Sequence, residues 1–323
     1  MPTLAETCNN AFLFWEPNLP GYTRKLIINP NADMGKAWRQ ATDLRPVLAE
    51  FGGADWAGTV YPTHATELAL EAGMQGYEQV IALGGDGTVH EVINGLMQVP
   101  PERRPRLGVV PMGSGNDFAY AVGASNDPPE ALRRALTGSP RKVDIGLVED
   151  DLGRREYWDN TLGIGFDATV TLRSHSLPVF RGFLMYFIAL VQTIMLNHVP
   201  MKLEFASDEE NWEAPKLMLV VCNGPREGGG FHVAPDARPD DGTFHYATIE
   251  DVSRLKMFRL VPEVMRGTHV RFAEVKMGKF KNLTLTADRP LIIHTDGEMF
   301  AGFGTNVRRL KISILPQALE VVV

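Results

Sequence analysis

Apolar and polar positions along this chain follow two different periods. From residue 24 onward, short apolar runs at 25–29, 57–61, 79–83 and 107–110 are each bounded by glycine, proline or polar residues, as expected of strands buried on both faces. Between them, 36–51, 66–72 and 89–97 carry apolar residues at helical spacing, and the first of these stretches ends at Gly52 and Gly53. Strand and helix in alternation predict a parallel sheet with helices on its faces. After a further strand at 143–145 the character changes. Strand-type runs at 161–164, 201–205, 217–222, 243–249, 283–286 and 291–294 now dominate, and helical stretches remain at 183–196 and 252–265. We therefore place a boundary near Gly146. An α/β part covers 24–145, a mainly antiparallel β part covers 146–306, and residues 1–23, with Pro17, Pro20 and Gly21 but no sustained period, read as an extension.

Composition narrows the class without choosing a function. The chain is 44% hydrophobic and 22% charged, the balance of a folded globular protein. A formal net charge of -7 argues against general affinity for nucleic acid, which needs a basic footprint, so any anionic ligand must be met locally. Cys8 and Cys222 lie far apart and form neither a zinc pattern nor a disulfide framework, which fits a reducing cytoplasmic setting. The apolar run at 183–196 is too short to span a bilayer and reads as a buried helix, with membrane contact by one face as the alternative.

Two glycine turns carry the candidate chemistry. Gly84-Gly85-Asp86-Gly87-Thr88 follows the strand at 79–83 and opens a helix bearing Glu91 and Asn94. Residues without Cβ let the backbone approach a polyphosphate, and the helix that follows presents unpaired N–H groups and the positive end of its dipole. Asp86 would repel phosphate unless a cation intervened, so it is a candidate for holding hydrated magnesium. Taken alone, the turn reads equally well as an ordinary helix-capping turn. The design recurs after the strand at 107–110, as Pro111-Met112-Gly113-Ser114-Gly115-Asn116-Asp117-Phe118. Turns after neighbouring parallel strands gather at one sheet edge, where ligands bind. Neither is a GxxxxGK[ST] loop or a GxGxxG turn, so another kind of nucleotide site is indicated.

With these residues in place, the sequence resembles the diacylglycerol kinase catalytic family, which includes bacterial lipid kinases and the sphingosine and ceramide kinases. The resemblance runs from about residue 24 to 320. It is carried by Asn29-Pro30 with Gly35-Lys36, the two glycine turns with Glu91 and Asn94-Gly95, Val143-Asp144, 163–168, 235–242 and Asp296-Gly297-Glu298. It departs in two places: Lys36 follows Asn31-Ala32-Asp33-Met34 rather than a Ser/Gly-rich turn, and Ser114 stands where threonine is usual.

The resemblance implies a Rossmann-like α/β domain, a C-terminal antiparallel β-sandwich-like domain and an active site in the cleft between them. It further implies that 307–323 returns to pack on the first domain. The activity implied is ATP-dependent phosphorylation of a membrane lipid hydroxyl with magnesium. Asn29, Lys36, Gly84, Gly85, Asp86, Gly87, Thr88, Glu91, Gly113, Ser114 and Asn116 would contact ATP. Asp86, Asp117, Asp296 and Glu298 would be catalytic, with Asp296 the general base and Glu298 orienting it, and Asp241 would hold a structural magnesium or water. The partners expected are a membrane lipid and, peripherally, the membrane that holds it; no nucleic acid is expected, and a homo-oligomer stays open. A NAD kinase-like enzyme, which shares the GGDG turn, and a catalytically silent nucleotide- or lipid-binding protein remain the rival readings. Diacylglycerol, phosphatidylglycerol and a sphingoid base all offer a hydroxyl, and the sequence does not choose among them.

Overall fold

Four short parallel strands found the first half of the computed structural model, which describes residues 21–30, 32, 36–177 and 182–323, with residues 36–40, 182 and 183 as backbone only. They are β1 (Arg24–Ile28), β2 (Asp55–Gly58), β3 (Gln79–Gly84) and β4 (Arg106–Pro111), in the order β2-β1-β3-β4. Every residue of β3 is buried, which explains its unbroken apolar run. Helices α1 (Lys36–Glu50), α2 (His64–Gln75), α3 (Asp86–Leu96), α4 (Asp117–Ala121) and α5 (Pro128–Thr137) connect or follow the strands. β3 and β4 pair through to Gly84 opposite Pro111, so the two glycine turns leave the sheet side by side.

The second half is strand-rich. It contains β5 (Arg141–Asp150), β6 (Arg155–Trp158), β7 (Thr161–Gly165), β8 (Met201–Ser207), β9 (Asn211–Lys216), β10 (Met218–Cys222), β11 (Phe244–Ile249), β12 (Val275–Phe280), β13 (Asn282–Ala287), β14 (Ile293–Thr295), β15 (Glu298–Ala301) and β16 (Arg309–Val322). Helices α6 (Phe166–His175), α7 (Gly182–Leu196) and α8 (Arg254–Arg266) interrupt it. One antiparallel sheet runs β12-β11-β10-β7-β14-β15. It packs on β8, β13, β5 and β16 through a shared core that includes Trp158, Phe205, Phe244, Tyr246, Phe280 and Phe300. The mixed α/β first part and antiparallel second part agree with the fold class read from the sequence.

β16 joins the halves. Its length pairs antiparallel with β5, its first half with β13, and Val321 and Val322 pair in parallel with Leu107 and Gly108 of β4. β5 itself runs unbroken through Gly146. Among the described residues, α4, α5 and α6 had no counterpart in the periodicity. α5 begins at Asp127-Pro128-Pro129-Glu130, where Asp127 Oδ2 accepts from Glu130 N at 3.2 Å, a cap with proline in the first turn. α6 follows Gly165, whose φ of +79° lets the chain turn directly from β7 into the helix. Among the described residues no helix is long and apolar enough to cross a membrane.

Candidate active site

The two glycine turns lie against each other. A Cβ on Gly113 would stand 2.5 Å from Gly85 Cα, and one on Gly85 would stand 3.2 Å from Gly113 Cα, so the first requirement for glycine here is the approach of one backbone to the other. Asn116, at φ +53°, closes the second turn: its Oδ1 accepts from Gly113 N at 3.0 Å and its Nδ2 donates to Gly113 O at 2.8 Å. Asp86 clamps the pair, accepting from Asn116 N at 2.7 Å and Asp117 N at 2.6 Å. Asp117 pairs with Arg226 at 2.9 Å and accepts from Gly229 N at 3.1 Å, which ties the turn to the second half of the chain.

Burial sets the electrostatics of these acids. It raises the Asp86 carboxyl above its ordinary value, against the N–H groups that stabilise the charge. Burial and the nearby Asp86 charge push Asp117 up to about 7, opposed by Gly229 N–H and Arg226. A Cβ on Gly115 would stand 2.6 Å from Asp86 Oδ2 and 3.3 Å from Asp117 Oδ2, so this glycine leaves the space beside both carboxylates open.

Asp296 and Gly297, at φ +51° and +88°, form the two-residue turn between β14 and β15, a geometry that favours Asp-Gly. The turn delivers the Asp296 carboxylate into a cradle. Oδ1 accepts from Asn160 N at 2.8 Å and Thr161 N at 3.0 Å; Oδ2 accepts from Asp159 N at 2.9 Å and His90 Nδ1 at 2.8 Å. Burial works against this charge, but His90 and the backbone donors outweigh it and hold Asp296 below the usual carboxylate range. Burial likewise works against a charged His90, yet its hydrogen bonds to Asp296 and Glu156 raise it well above an ordinary histidine. Asp159 is different. Burial, then the Asp296 charge, keep it well above its ordinary value, and its Oδ2 has no hydrogen-bond partner among the described residues.

These groups border three adjoining hollows that share walls. An outer cleft is lined by Asn29, residues 85–88, Glu91, residues 113–115 and residues 296–298, with Tyr61 and Pro62 at its rim. Beside it lies an inner chamber that shares Asp86, Ser114, Gly115 and Asp296 with it and adds Asp117, Asp159, Tyr186 and Glu227. Tyr186 and Glu227 also line an apolar cavity beyond, walled by Phe166, Val170, Leu190, Met218, Met257, Leu260 and Val264.

The structure therefore brings Asn29, Gly85, Asp86, Gly87, Thr88, Glu91, Gly113, Ser114, Asp296 and Glu298 to the outer cleft and Asp117 to the inner chamber, with Gly84 and Asn116 shaping the turns behind them. Glu91 has a local task as well, accepting from Thr63 N and Ala65 N at the start of α2. Glu298 is exposed, and among the described residues no hydrogen bond engages its carboxylate. Its Oε1 lies 2.7 Å from where a Cβ on Gly87 would be. The Lys36 side chain and Gly35 lie outside the described residues, as does the extension up to residue 20. Asp241 lines none of these hollows; it accepts from Thr243 N at 3.2 Å and stands 3.7 Å from His245.

Sequence reasoning missed His90, Asp159, Arg226, Glu227 and Tyr186. His90 had a signal, because it lies four residues after Asp86 and so on the same face of α3. The others had none: Asp159 sits in a loop between strands, and Arg226 and Glu227 follow an unremarkable Gly-Pro pair.

Comparison with known proteins addresses the whole arrangement. The diacylglycerol kinase catalytic domain family matches residues 24–148, and the YegS C-terminal NAD kinase beta sandwich-like domain matches 160–323. A probable lipid kinase YegS-like protein of Chromohalobacter salexigens is 36% identical over 239 residues, covering 72% of this chain and 73% of that protein. The chain belongs to the diacylglycerol kinase and YegS-like lipid kinase family. A putative lipid kinase YtlR of Bacillus subtilis is 32% identical over 81% of this chain and 87% of its own length. The diacylglycerol kinase of the same organism is 28% identical over 85% and 91%. A crystal structure of a putative diacylglycerol kinase from Bacillus anthracis str. Sterne superposes with a TM-score of 0.74 at 22% identity, covering 93% of this chain and 96% of that one, which supports the fold. Kinase chemistry on a lipid hydroxyl follows from the family.

Proposed function

We propose that this lipid kinase binds ATP in the outer cleft and receives its lipid from the apolar cavity, the two substrates meeting in the inner chamber. The observation that carries this reading is that the three hollows adjoin and share walls: Asp86 and Asp296 border the first two, Tyr186 and Glu227 the last two. The polyphosphate lies over the paired glycine turns, where small residues and the start of α3 leave room and positive potential. We read residues 24–145 as the nucleotide-binding part, 146–306 as the lipid part, and 307–323 as the strand that fastens one to the other.

A divalent cation fits the donors present. Asp86 and Asp117 are carboxylates raised by burial beside open space, and Asp159 Oδ2 is buried without a partner among the described residues, all hard oxygen donors of the kind magnesium takes. When bound, magnesium would neutralise charge on the phosphoryl group. Asp86 with Asp117 would hold it. Asp241 shares no hollow with them, and we assign it to ordering its own turn, with a structural cation as one way of doing so.

The proton of the acceptor hydroxyl needs an available base. Asp296 already accepts four hydrogen bonds and is held ionised, so its basicity is spent on its own cradle. Glu298, exposed at the cleft and free of hydrogen bonds among the described residues, suits the task better. We therefore assign proton acceptance to Glu298 and positioning to Asp296, the reverse of the order expected from sequence. Asp296 fixes the hairpin that presents Glu298, and His90 fixes Asp296.

Contact with the membrane has its own support. α7 and α8 wall the apolar cavity with Leu190, Met257, Leu260 and Val264, and around them Leu184, Met195, Leu196, Val199 and Leu255 stay exposed, Leu255 at 82%. We assign these outer faces to the lipid surface, which would bring the cavity to its substrate.

The test is transfer of label from γ-labelled ATP with magnesium to mixed micelles carrying a total lipid extract, with NAD as a parallel acceptor. Label in a lipid product is expected. Label in NADP, or ATP binding without any transfer, would end the lipid kinase reading of the cleft.

A further inference from the structure

Glu227 stands between the inner chamber and the apolar cavity and lines both. The residue is buried, Oε1 lies 3.5 Å from the Tyr186 hydroxyl, and Oε2 has no hydrogen-bond partner among the described residues. Asp167 and His294 complete the cluster, with Tyr186 Oη 3.3 Å from Asp167 Oδ1. The histidine shows what the cluster holds. Its Nδ1 accepts from Gly297 N at 3.2 Å, so the proton sits on Nε2 and is donated to Asp167 Oδ2 at 2.7 Å. A protonated Nε2 cannot ligate a metal, so His294 is no ligand here, and two acids held side by side favour one of them keeping its proton.

We propose that Glu227 reads the lipid: its carboxyl O–H donates, through the unpartnered oxygen, to an ester or amide carbonyl next to the acceptor hydroxyl. The inference rests on the cavity being the lipid site. It makes the preferred substrate an acyl lipid rather than an ether lipid or a long-chain alcohol. Burial, followed by the Asp167 charge, pushes the Glu227 carboxyl well above its ordinary value and so keeps the proton in place. The other groups facing it are Tyr186 from α7, His294 from β14, Thr161 from β7, Cys222 from β10 and Asp117, the last paired with Arg226. The neighbouring donors are engaged elsewhere: the His294 proton is given to Asp167, the Tyr186 hydroxyl to the two acids, the Thr161 hydroxyl to Glu227 itself, and Arg226 is paired with Asp117 and donates to Gly115 O.

The experiment compares kcat/KM on 1,2-dioctanoylglycerol and on the ether 1,2-di-O-octylglycerol for the wild-type chain, Glu227→Gln and Glu227→Leu. The wild type should prefer the ester. Glu227→Leu should lose about 30-fold on the ester, mainly in KM, and less than about 3-fold on the ether, as expected for a carbonyl left without its buried donor. Glu227→Gln keeps a donor and should stay within about 5-fold on the ester. Wild-type activity on the ester should fall as pH rises through the Glu227 value, and the Gln variant should lack that limb. Equal losses on both lipids, wild-type behaviour of Glu227→Leu, or failure of Gln to substitute would each overturn the proposal. If Glu227→Leu does not fold, the ester preference and pH limb of Glu227→Gln decide. If the wild type phosphorylates neither lipid, the kinase reading fails separately, and calorimetric titration with the two lipids decides for Glu227: tighter ester binding that Glu227→Leu abolishes supports it, and equal binding refutes it.

Discussion

Asp296→Asn tests the cradle more directly than any activity assay. The asparagine can keep its oxygen at the Oδ1 position, where Asn160 N and Thr161 N donate at 2.8 and 3.0 Å. Its NH2 then faces Asp159 N, donor against donor, and the ion pair with His90 is gone. A buried N–H left unpaired costs about 1–3 kcal/mol, and breaking a buried ion pair costs about 3–5 kcal/mol where no second partner remains. His90 keeps Glu156 at 3.4 Å, which reduces the second figure, so we expect a loss of about 3 kcal/mol. For a chain of 323 residues that lowers the melting midpoint by about 4 °C. The pH dependence has a definite sign. Asp296 lies below its ordinary value, so its share is present above about pH 4 and lost on acidification. His90 lies above its ordinary value, so its share is fully present below about pH 6.5 and lost as pH rises through the folded value. The gap between wild type and variant should therefore be widest between about pH 4 and 6.5 and close on further acidification. Denaturant unfolding of the ligand-free chain across that range measures it. A gap under about 0.5 kcal/mol at pH 6, or one that is flat with pH, would refute the account of Asp296 as a buried positioning group.

Glu298→Gln should behave in the opposite way, lowering lipid-dependent turnover by about 100-fold while leaving melting and ATP affinity near wild type; near-normal turnover would return the base to another carboxylate. Gly113→Ala should abolish ATP binding and lower the melting midpoint, because its Cβ meets Gly85 Cα at 2.5 Å and neither turn has room to retreat; direct ATP titration beside a melting curve reads both. The double substitution Leu196→Asp with Leu255→Asp should weaken sedimentation with phospholipid vesicles by about tenfold, with kcat on a monomeric short-chain lipid unchanged; unaltered sedimentation would remove α7 and α8 from the membrane contact.

What was legible in the sequence follows from how local each cause is. Buried parallel strands need apolar runs, so β3 and β4 could be placed almost to the residue; backbone turns that meet need glycine, so Gly85 and Gly113 stood out. α5 was missed although its Asp-Pro-Pro-Glu start was in view, because its apolar face is only Ala131, Leu132 and Ala135. The protonation states were not legible at all. They depend on partners far apart in the chain: His90 and Asp296 are separated by 206 positions, Asp117 and Gly229 by 112. The Asp-Gly dipeptide announced a carboxylate on a tight turn, which is true of a general base and equally true of an anchor. What separates the two is whether the lone pairs are already taken. Three of the four bonds that take them come from backbone N–H groups at 159–161, and any sequence supplies those. A side chain's identity fixes the chemistry it could do; the backbone folded around it decides whether that chemistry is still available, and on our assignment it leaves Asp296 to position while Glu298, two residues on, stays open to the cleft.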